Sequence, residues 1–128
     1  MVATAARSPA AAANPAVVLS RATMRAAQLL GITQSDLADV IGVSPATMSR
    51  IANGQKQLEP GSKAWQLAAL FVRVFRSLDA IVGSDDALAR AWMRSENTAL
   101  GGVPRDLIRD PAGLARTVDY LDAARARI

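Results

Sequence analysis

The sequence predicts an all-α protein, made of an N-terminal helix-turn-helix bundle and a second, small helical domain. Apolar residues recur at helical spacing from Ala16 onward. Two pairs of a capping residue and a proline, Ser44-Pro45 and Asp110-Pro111, have the form of helix starts. No segment shows the apolar–polar alternation of a strand. We therefore expect helices only.

Seven helices are predicted, each bounded by a capping residue, a proline or a glycine. Gly31 and Gly42 end the first two, Thr33 and Ser62 cap the second and fourth, and Ser84 is the predicted cap of the fifth. The predicted spans are residues 16–30, 34–41, 45–52, 63–82, 85–95, 104–109 and 111–128.

These helices are expected to form two domains, at residues 16–58 and 62–128. Residues 1–15 contain seven Ala and two Pro, so we expect a disordered leader. A basic arm that enters a groove of DNA through Arg7 is the alternative for this segment.

The composition argues for binding rather than catalysis. The chain has no His and no Cys, the residues that most metal sites and nucleophilic centres need. The carboxylates at helix starts are explained by capping; they are Asp85, Asp86, Asp106 and Asp110. We therefore expect no enzyme activity, no catalytic residue, no metal and no cofactor.

The charge distribution favours a nucleic-acid partner for the first half. Residues 1–56 carry a net charge of +3, whereas residues 57–128 carry +1. No secretory signal is visible, and the most apolar stretch contains Arg73, Arg76 and Asp79, which argues against a membrane helix. We expect a soluble, cytoplasmic protein.

The segment from Gln34 to Asn53 predicts two helices that cross closely. The small side chain of Ala38 allows the two helices to approach closely, and Gly42 permits a tight turn between them. Four apolar side chains are predicted to face inward: Leu37, Ile41, Met48 and Ile51. An ordinary corner between two core helices has the same apolar pattern. The polar side favours DNA binding, because no acidic residue occurs from Gly42 to Leu58.

The run TQSDLADVIGVSPATMSRIANG resembles the Xre family of phage-repressor-like regulators. The resemblance implies that Gln34 contacts a phosphate, that Pro45, Ala46 and Arg50 face bases, and that Thr47, Asn53 and Lys56 hold the DNA backbone. Ser44 and Ser49 complete the predicted DNA-binding face. Arg50 is the only long donor on the base-facing side of the third helix, so we expect it to contact a guanine edge. Many relatives carry polar residues where this chain has Pro45 and Ala46.

The helix over residues 64–82 is too broadly apolar to bury only one stripe. It is either the central strut of its own domain or a helix that also packs against a second copy of the chain. For the second alternative, a homodimer, the predicted contact residues are Trp65, Phe71, Phe75 and Leu78.

The last sixty residues resemble the toxin-binding domain of the Xre/MbcA/ParS antitoxins. The resemblance is carried by Asn97, by Ala99-Leu100-Gly101-Gly102, by Pro104 and Leu107-Ile108, and by Gly113-Leu114 with Tyr120-Leu121-Asp122. The expected toxin-binding residues are Leu100, Gly101, Gly102, Arg105, Arg109, Arg116, Tyr120, Arg125, Arg127 and Ile128. Two alternatives stay open: the glycines merely form the turn into Pro104, and Tyr120 is half-buried core.

Such antitoxins usually pair with a RES-domain toxin that consumes NAD⁺. The resemblance thus implies an antitoxin that blocks the toxin's active site and binds operator DNA to repress its own operon. The alternative is a repressor that acts alone and whose second half only dimerises.

Overall fold

A computed structural model describes residues 14–128, which form seven α-helices and no strand. The predicted all-α class is confirmed. The helices are α1 (Pro15–Leu30), α2 (Gln34–Ile41), α3 (Pro45–Ala52), α4 (Lys63–Ile81), α5 (Asp86–Arg94), α6 (Pro104–Leu107) and α7 (Pro111–Arg125). Among these described helices, none is long and apolar enough to cross a membrane.

Most helix starts are where the capping residues predicted them. Thr33, Ser44, Ser62 and Asp110 each accept a hydrogen bond from a backbone N–H in the first turn of α2, α3, α4 and α7. Asn14 does the same for α1, which therefore begins at Pro15, one residue earlier than predicted. The rest of the predicted leader, residues 1–13, lies outside the described residues.

The prediction that Ser84 caps α5 is wrong. Asp85 is the cap, and its carboxylate accepts the N–H of Leu88 at 3.1 Å. Gly83 and Ser84 have φ angles of 65° and 62°, so both lie in the left-handed region that turns the chain after α4. The Ser84 hydroxyl instead donates to Asp79 at 3.1 Å, which holds this turn against the end of α4.

The helix-turn-helix has the predicted core. Leu37, Ile41, Met48 and Ile51 are all buried. Gly42 has a φ of 72° and donates to the carbonyl of Ala38, so it ends α2 in the conformation that the tight turn requires. α2 and α3 therefore cross at this turn, and the apolar side of α3 packs into the core.

The long helix α4 is the central strut of the whole molecule. It packs against α1, α2, α5 and α7, and Phe71 and Leu78 are fully buried among them. The prediction that these two side chains contact a second copy is therefore wrong, because the chain's own helices cover them. Trp65 and Phe75 are only half-buried.

A polar contact fastens α7 to α4. The buried Ser77 hydroxyl donates to Asp122 at 2.7 Å, and the exposed Arg73 guanidinium pairs with the same carboxylate. These contacts hold the pKa of Asp122 below its ordinary value, chiefly through the Ser77 hydrogen bond. The carboxylate form is thus favoured by the fold.

This contact predicts an acid-sensitive stability. Because the pKa of Asp122 is lower in the folded than in the unfolded chain, its contribution is complete above about pH 4 and is lost as the pH falls through the folded value. Ser77→Ala is expected to cost about 1 kcal/mol near neutral pH. Thermal unfolding between pH 7 and pH 2, with the exposed Ser35→Ala as control, should show this difference shrinking in acid. A difference that is the same at every pH would contradict it.

Candidate functional site

The exposed side of α3 is the candidate DNA-reading surface. Pro45, Ala46 and Arg50 are exposed there, while Thr47 and Ser49 are half-buried. The Ser44 Oγ accepts the N–H of Thr47 at 3.1 Å and donates to the Thr47 hydroxyl at 3.1 Å. Ser44 therefore holds the start of α3 in place, and its hydroxyl is already engaged within the helix.

Two cationic residues, Arg50 and Lys56, come at the end of α3 and in the turn that follows it. The Arg50 carbonyl accepts the N–H groups of Gln55 and Lys56 at 2.9 and 3.2 Å, which folds the following turn back onto the helix end. Neither Arg50 nor Lys56 pairs with a carboxylate within residues 14–128. These two residues give the predicted face an unpaired positive charge, and the exposed Asn53 and Gln34 add neutral amide donors to it.

Arg109 connects the helix-turn-helix with the second half of the chain. Its Nε and Nη2 donate to the same oxygen of Asp39 on α2, at 3.2 and 2.8 Å. The pKa of Arg109 is raised, first by this hydrogen bond and then by the charge of Asp39. Arg109 is one of the expected toxin-binding residues, and in this structure its guanidinium is engaged by Asp39 of α2.

Hydrogen bonds to Asn97 close a compact loop between α5 and α6. The N–H of Asn97 donates to the Gly102 carbonyl at 2.8 Å, and the N–H of Gly101 donates back to the Asn97 carbonyl at 2.9 Å. The Asn97 side chain also accepts the N–H of Leu100 at 3.0 Å. Gly101, with a φ of 81°, has open space around it, so the loop presents backbone without a side chain at that position.

Leu100 points inward from this loop. Its side chain is buried, which contradicts the expectation that it contacts a partner. Its carbonyl accepts a hydrogen bond from Arg116 Nη1 on α7 at 3.4 Å. Leu100 and Arg116 therefore fix the loop to α7, and its accessible surface comes from the exposed Thr98, Ala99 and Gly101 with the half-buried Gly102.

A stacked pair of aromatic side chains extends the surface that begins at this loop. The rings of Trp92 on α5 and Tyr120 on α7 stack with centroids 6.4 Å apart and planes 21° from parallel. Tyr120 is 36% exposed and lies one turn from Arg116, while Leu88, one turn before Trp92, is 55% exposed. We call the loop 97–102 with Leu88, Trp92, Arg116 and Tyr120 the α5–α7 surface.

Sequence reasoning missed Leu88 and Trp92. The sequence did contain a signal, because Leu88 and Trp92 are apolar residues four positions apart on α5. In the structure, the residue after each of them, Ala89 and Met93, is buried. Because Ala89 and Met93 fill the core face of this amphipathic helix, the apolar pair Leu88 and Trp92 lies beside the core face and not within it.

Among the other predicted contact residues, Arg125 lies apart from this surface. Arg125 follows Arg116 by two and a half helical turns, so it lies on the opposite side of α7. There it lines a shallow cavity of about 510 Å³ with Arg73, Arg76 and Asp122. Arg105 is half-buried, and Arg127 and Ile128 are exposed at the end of the chain.

The fold and these surfaces define a helix-turn-helix protein joined to a small helical domain. Comparison with protein families matches residues 9–73 to the antitoxin Xre-like helix-turn-helix domain. Residues 77–127 match the antitoxin Xre/MbcA/ParS C-terminal toxin-binding domain. The chain therefore belongs to the Xre family of antitoxins, and its role is that of the antitoxin in a toxin–antitoxin pair. A search of curated proteins found no match.

Proposed function

We propose that this antitoxin neutralises a RES-domain toxin that consumes NAD⁺, by covering the toxin's active site. The α5–α7 surface is the observation that carries the proposal. It combines a stacked Trp92–Tyr120 pair, the exposed Leu88, Arg116 and the exposed part of the loop 97–102. Aromatic side chains and arginine dominate the binding energy of protein interfaces.

The second part of the proposal is that the chain binds operator DNA as a homodimer and represses its own operon. The two free cations Arg50 and Lys56 support the DNA contact, because phosphate binding needs unpaired positive charge. A two-fold assembly of helix-turn-helix units would place two copies of α3 in successive major grooves of a palindromic site.

Co-expression with the product of the adjacent gene tests the first part. The adjacent gene product alone should arrest growth and deplete NAD⁺, and the antitoxin should restore both and co-purify with it. Arg50→Ala should restore growth equally well, since Arg50 is remote in sequence from the α5–α7 surface. A neighbour that binds the chain but leaves NAD⁺ unchanged would refute the RES-toxin assignment, and a neighbour that never binds the chain would favour a repressor that acts alone.

Arg50→Ala tests the DNA contact. Loss of a bidentate base contact is expected to weaken operator affinity by about 1–3 kcal/mol, or roughly 5- to 150-fold in Kd. A gel shift at fixed ionic strength, with the upstream region of the gene as probe, measures it. Arg94→Ala removes an equally exposed charge from α5 and should change the affinity little. Equal affinities for wild type and Arg50→Ala would remove Arg50 from the DNA-reading surface.

A further inference from the structure

An open cavity lies between α1 and the turn that follows α3. It has a volume of about 680 Å³. α1 contributes Arg21, Arg25 and Gln28 to its walls, and the turn contributes Asn53 and Gly54. Among the described residues that line this cavity, none is acidic and none is aromatic. We call it the α1 cleft.

The two walls of the α1 cleft are fastened to each other by the fold. The Ser20 Oγ on α1 accepts the backbone N–H of Leu58 at 2.9 Å in a buried hydrogen bond. Leu58 and Ile51, on either side of the turn, are both buried in the core that α1 covers. The position of the turn relative to α1 is therefore set before any partner binds.

The charge of the α1 cleft is positive and uncompensated. Arg21 and Arg25 are exposed and lie one helical turn apart. Neither forms an ion pair with a carboxylate of the described chain, residues 14–128. α1 itself contains no Asp or Glu, and the segment 40–58 contains none either. An anion in the α1 cleft would thus meet two guanidinium groups and no like charge from these segments.

We propose that Arg21 and Arg25 bind the phosphate backbone of the DNA strand that flanks the groove entered by α3. Arginine forms charge-assisted hydrogen bonds with phosphate oxygens, and two arginines one turn apart can hold neighbouring phosphates of one strand. The inference rests on the operator binding of the proposed function. It adds a second contact from α1, which fixes the position of the protein on the duplex and reads no base.

The α1 cleft is continuous with the DNA-reading surface. Asn53 belongs to both, since it lines the α1 cleft and follows the last residue of α3. Gly54, the next residue, has a φ of 77°, and no atom lies within 4 Å of the place where a Cβ would stand. A DNA strand can therefore come close to the backbone of this turn and reach the α1 arginines behind it.

A DNA strand fits the α1 cleft better than an acidic segment of a protein does. Protein interfaces depend on aromatic and apolar anchors that fill pockets. Here the larger apolar lining residues Val17 and Met24 are half-buried, and the exposed groups are guanidinium and amide groups. A surface that offers charge and hydrogen bonds without an apolar anchor suits the phosphate backbone of a nucleic acid.

The salt dependence of DNA binding by the full-length antitoxin tests the α1 cleft. Fluorescence anisotropy is measured at several salt concentrations with two duplexes, the upstream region of the gene and a scrambled sequence of equal length. In the double variant Arg21→Gln, Arg25→Gln, the slope of log K against log salt should become shallower by about 2, because each lost phosphate contact releases fewer counterions. Both duplexes should be bound more weakly by the same factor, roughly 10- to 100-fold. Arg50→Ala should instead weaken binding of the upstream duplex more than that of the scrambled one.

Two further double variants are the controls. Arg94→Gln, Arg127→Gln removes the same net charge from exposed positions of the second half and should keep the wild-type slope. Arg21→Lys, Arg25→Lys keeps the charge at the α1 cleft and should also keep most of the slope, since counterion release depends on charge. Circular dichroism checks that every variant retains its helical content.

Each contrary outcome has a separate meaning. An unchanged salt slope in the Arg21→Gln, Arg25→Gln variant, with a wild type that binds the upstream duplex, would overturn the α1 cleft and leave the proposed operator binding intact. A wild type that binds neither duplex would overturn the operator binding and the α1 cleft together. A variant that keeps its DNA affinity but no longer binds the adjacent gene product would also overturn the inference, because the α1 cleft would then belong to a protein partner.

Discussion

Replacing Gly113 with alanine is expected to destabilise the fold by about 3 kcal/mol, with a fall of about 10 °C in Tm. Gly113 lies in the first turn of α7, where alanine would normally stabilise a helix by up to about 1 kcal/mol. Here a Cβ atom would lie 2.1 Å from the backbone carbonyl oxygen of Leu107. Backbone atoms cannot rotate away as the end of a side chain can, so α6 and α7 must separate.

Gly102→Ala is the matched control for this prediction. A Cβ atom there would meet only the end of the Leu107 side chain, at 3.2 Å, and that side chain can adjust. We expect a loss of less than about 1 kcal/mol. Denaturant or thermal unfolding of both variants measures the difference. A Gly113→Ala variant as stable as the wild type would show that α6 does not press on α7 in this way.

Replacing Tyr120 with alanine is expected to weaken toxin binding by about 2 kcal/mol or more, roughly 30-fold in Kd. The phenol ring is stacked on Trp92 and partly exposed, so its loss removes contact area and also releases the Trp92 ring. Trp92→Ala should have a similar effect, and the double variant should cost less than the sum of the two because the rings act as one unit.

Titration of the toxin with each variant, followed by calorimetry or by loss of neutralisation, measures this effect. Tyr120→Phe keeps the ring and separates its packing from its hydroxyl. Asp119→Ala changes the neighbouring exposed residue on α7 and should bind the toxin like the wild type. Equal toxin affinity for Tyr120→Ala and Asp119→Ala would place the contact elsewhere.

Local signals in the sequence were sufficient to locate most helix starts. Ser44-Pro45 and Asp110-Pro111 located the starts of α3 and α7, because a cap acts within one turn of its own position. The prediction of the N-cap was wrong for α5, because Ser84 and Asp85, which follow Gly83, are both good capping residues. Their assignment depends on the turn itself, in which Ser84 takes a left-handed φ and bonds to Asp79.

The candidate sites were predictable in part. The amphipathic pattern of α3 located its exposed polar face, since the inward positions of a short helix follow from its period. Contacts between distant segments were not predictable. Asp39 and Arg109 are 70 residues apart, and nothing in the sequence near either one indicates the other. The same holds for Trp92 and Tyr120, which meet only because α5 and α7 pack around one core.

The sequence by itself therefore determined the all-α class, the helix-turn-helix and the excess of positive charge on the first half, since these depend on composition, periodicity and capping within a few residues. Only the tertiary structure decided which apolar side chains of α4 are covered by the chain's own helices and which stay partly exposed. Phe71 and Leu78 have the same local signal as Trp65. Burial depends on which helices pack on each side of α4, and that arrangement is a property of the assembled fold.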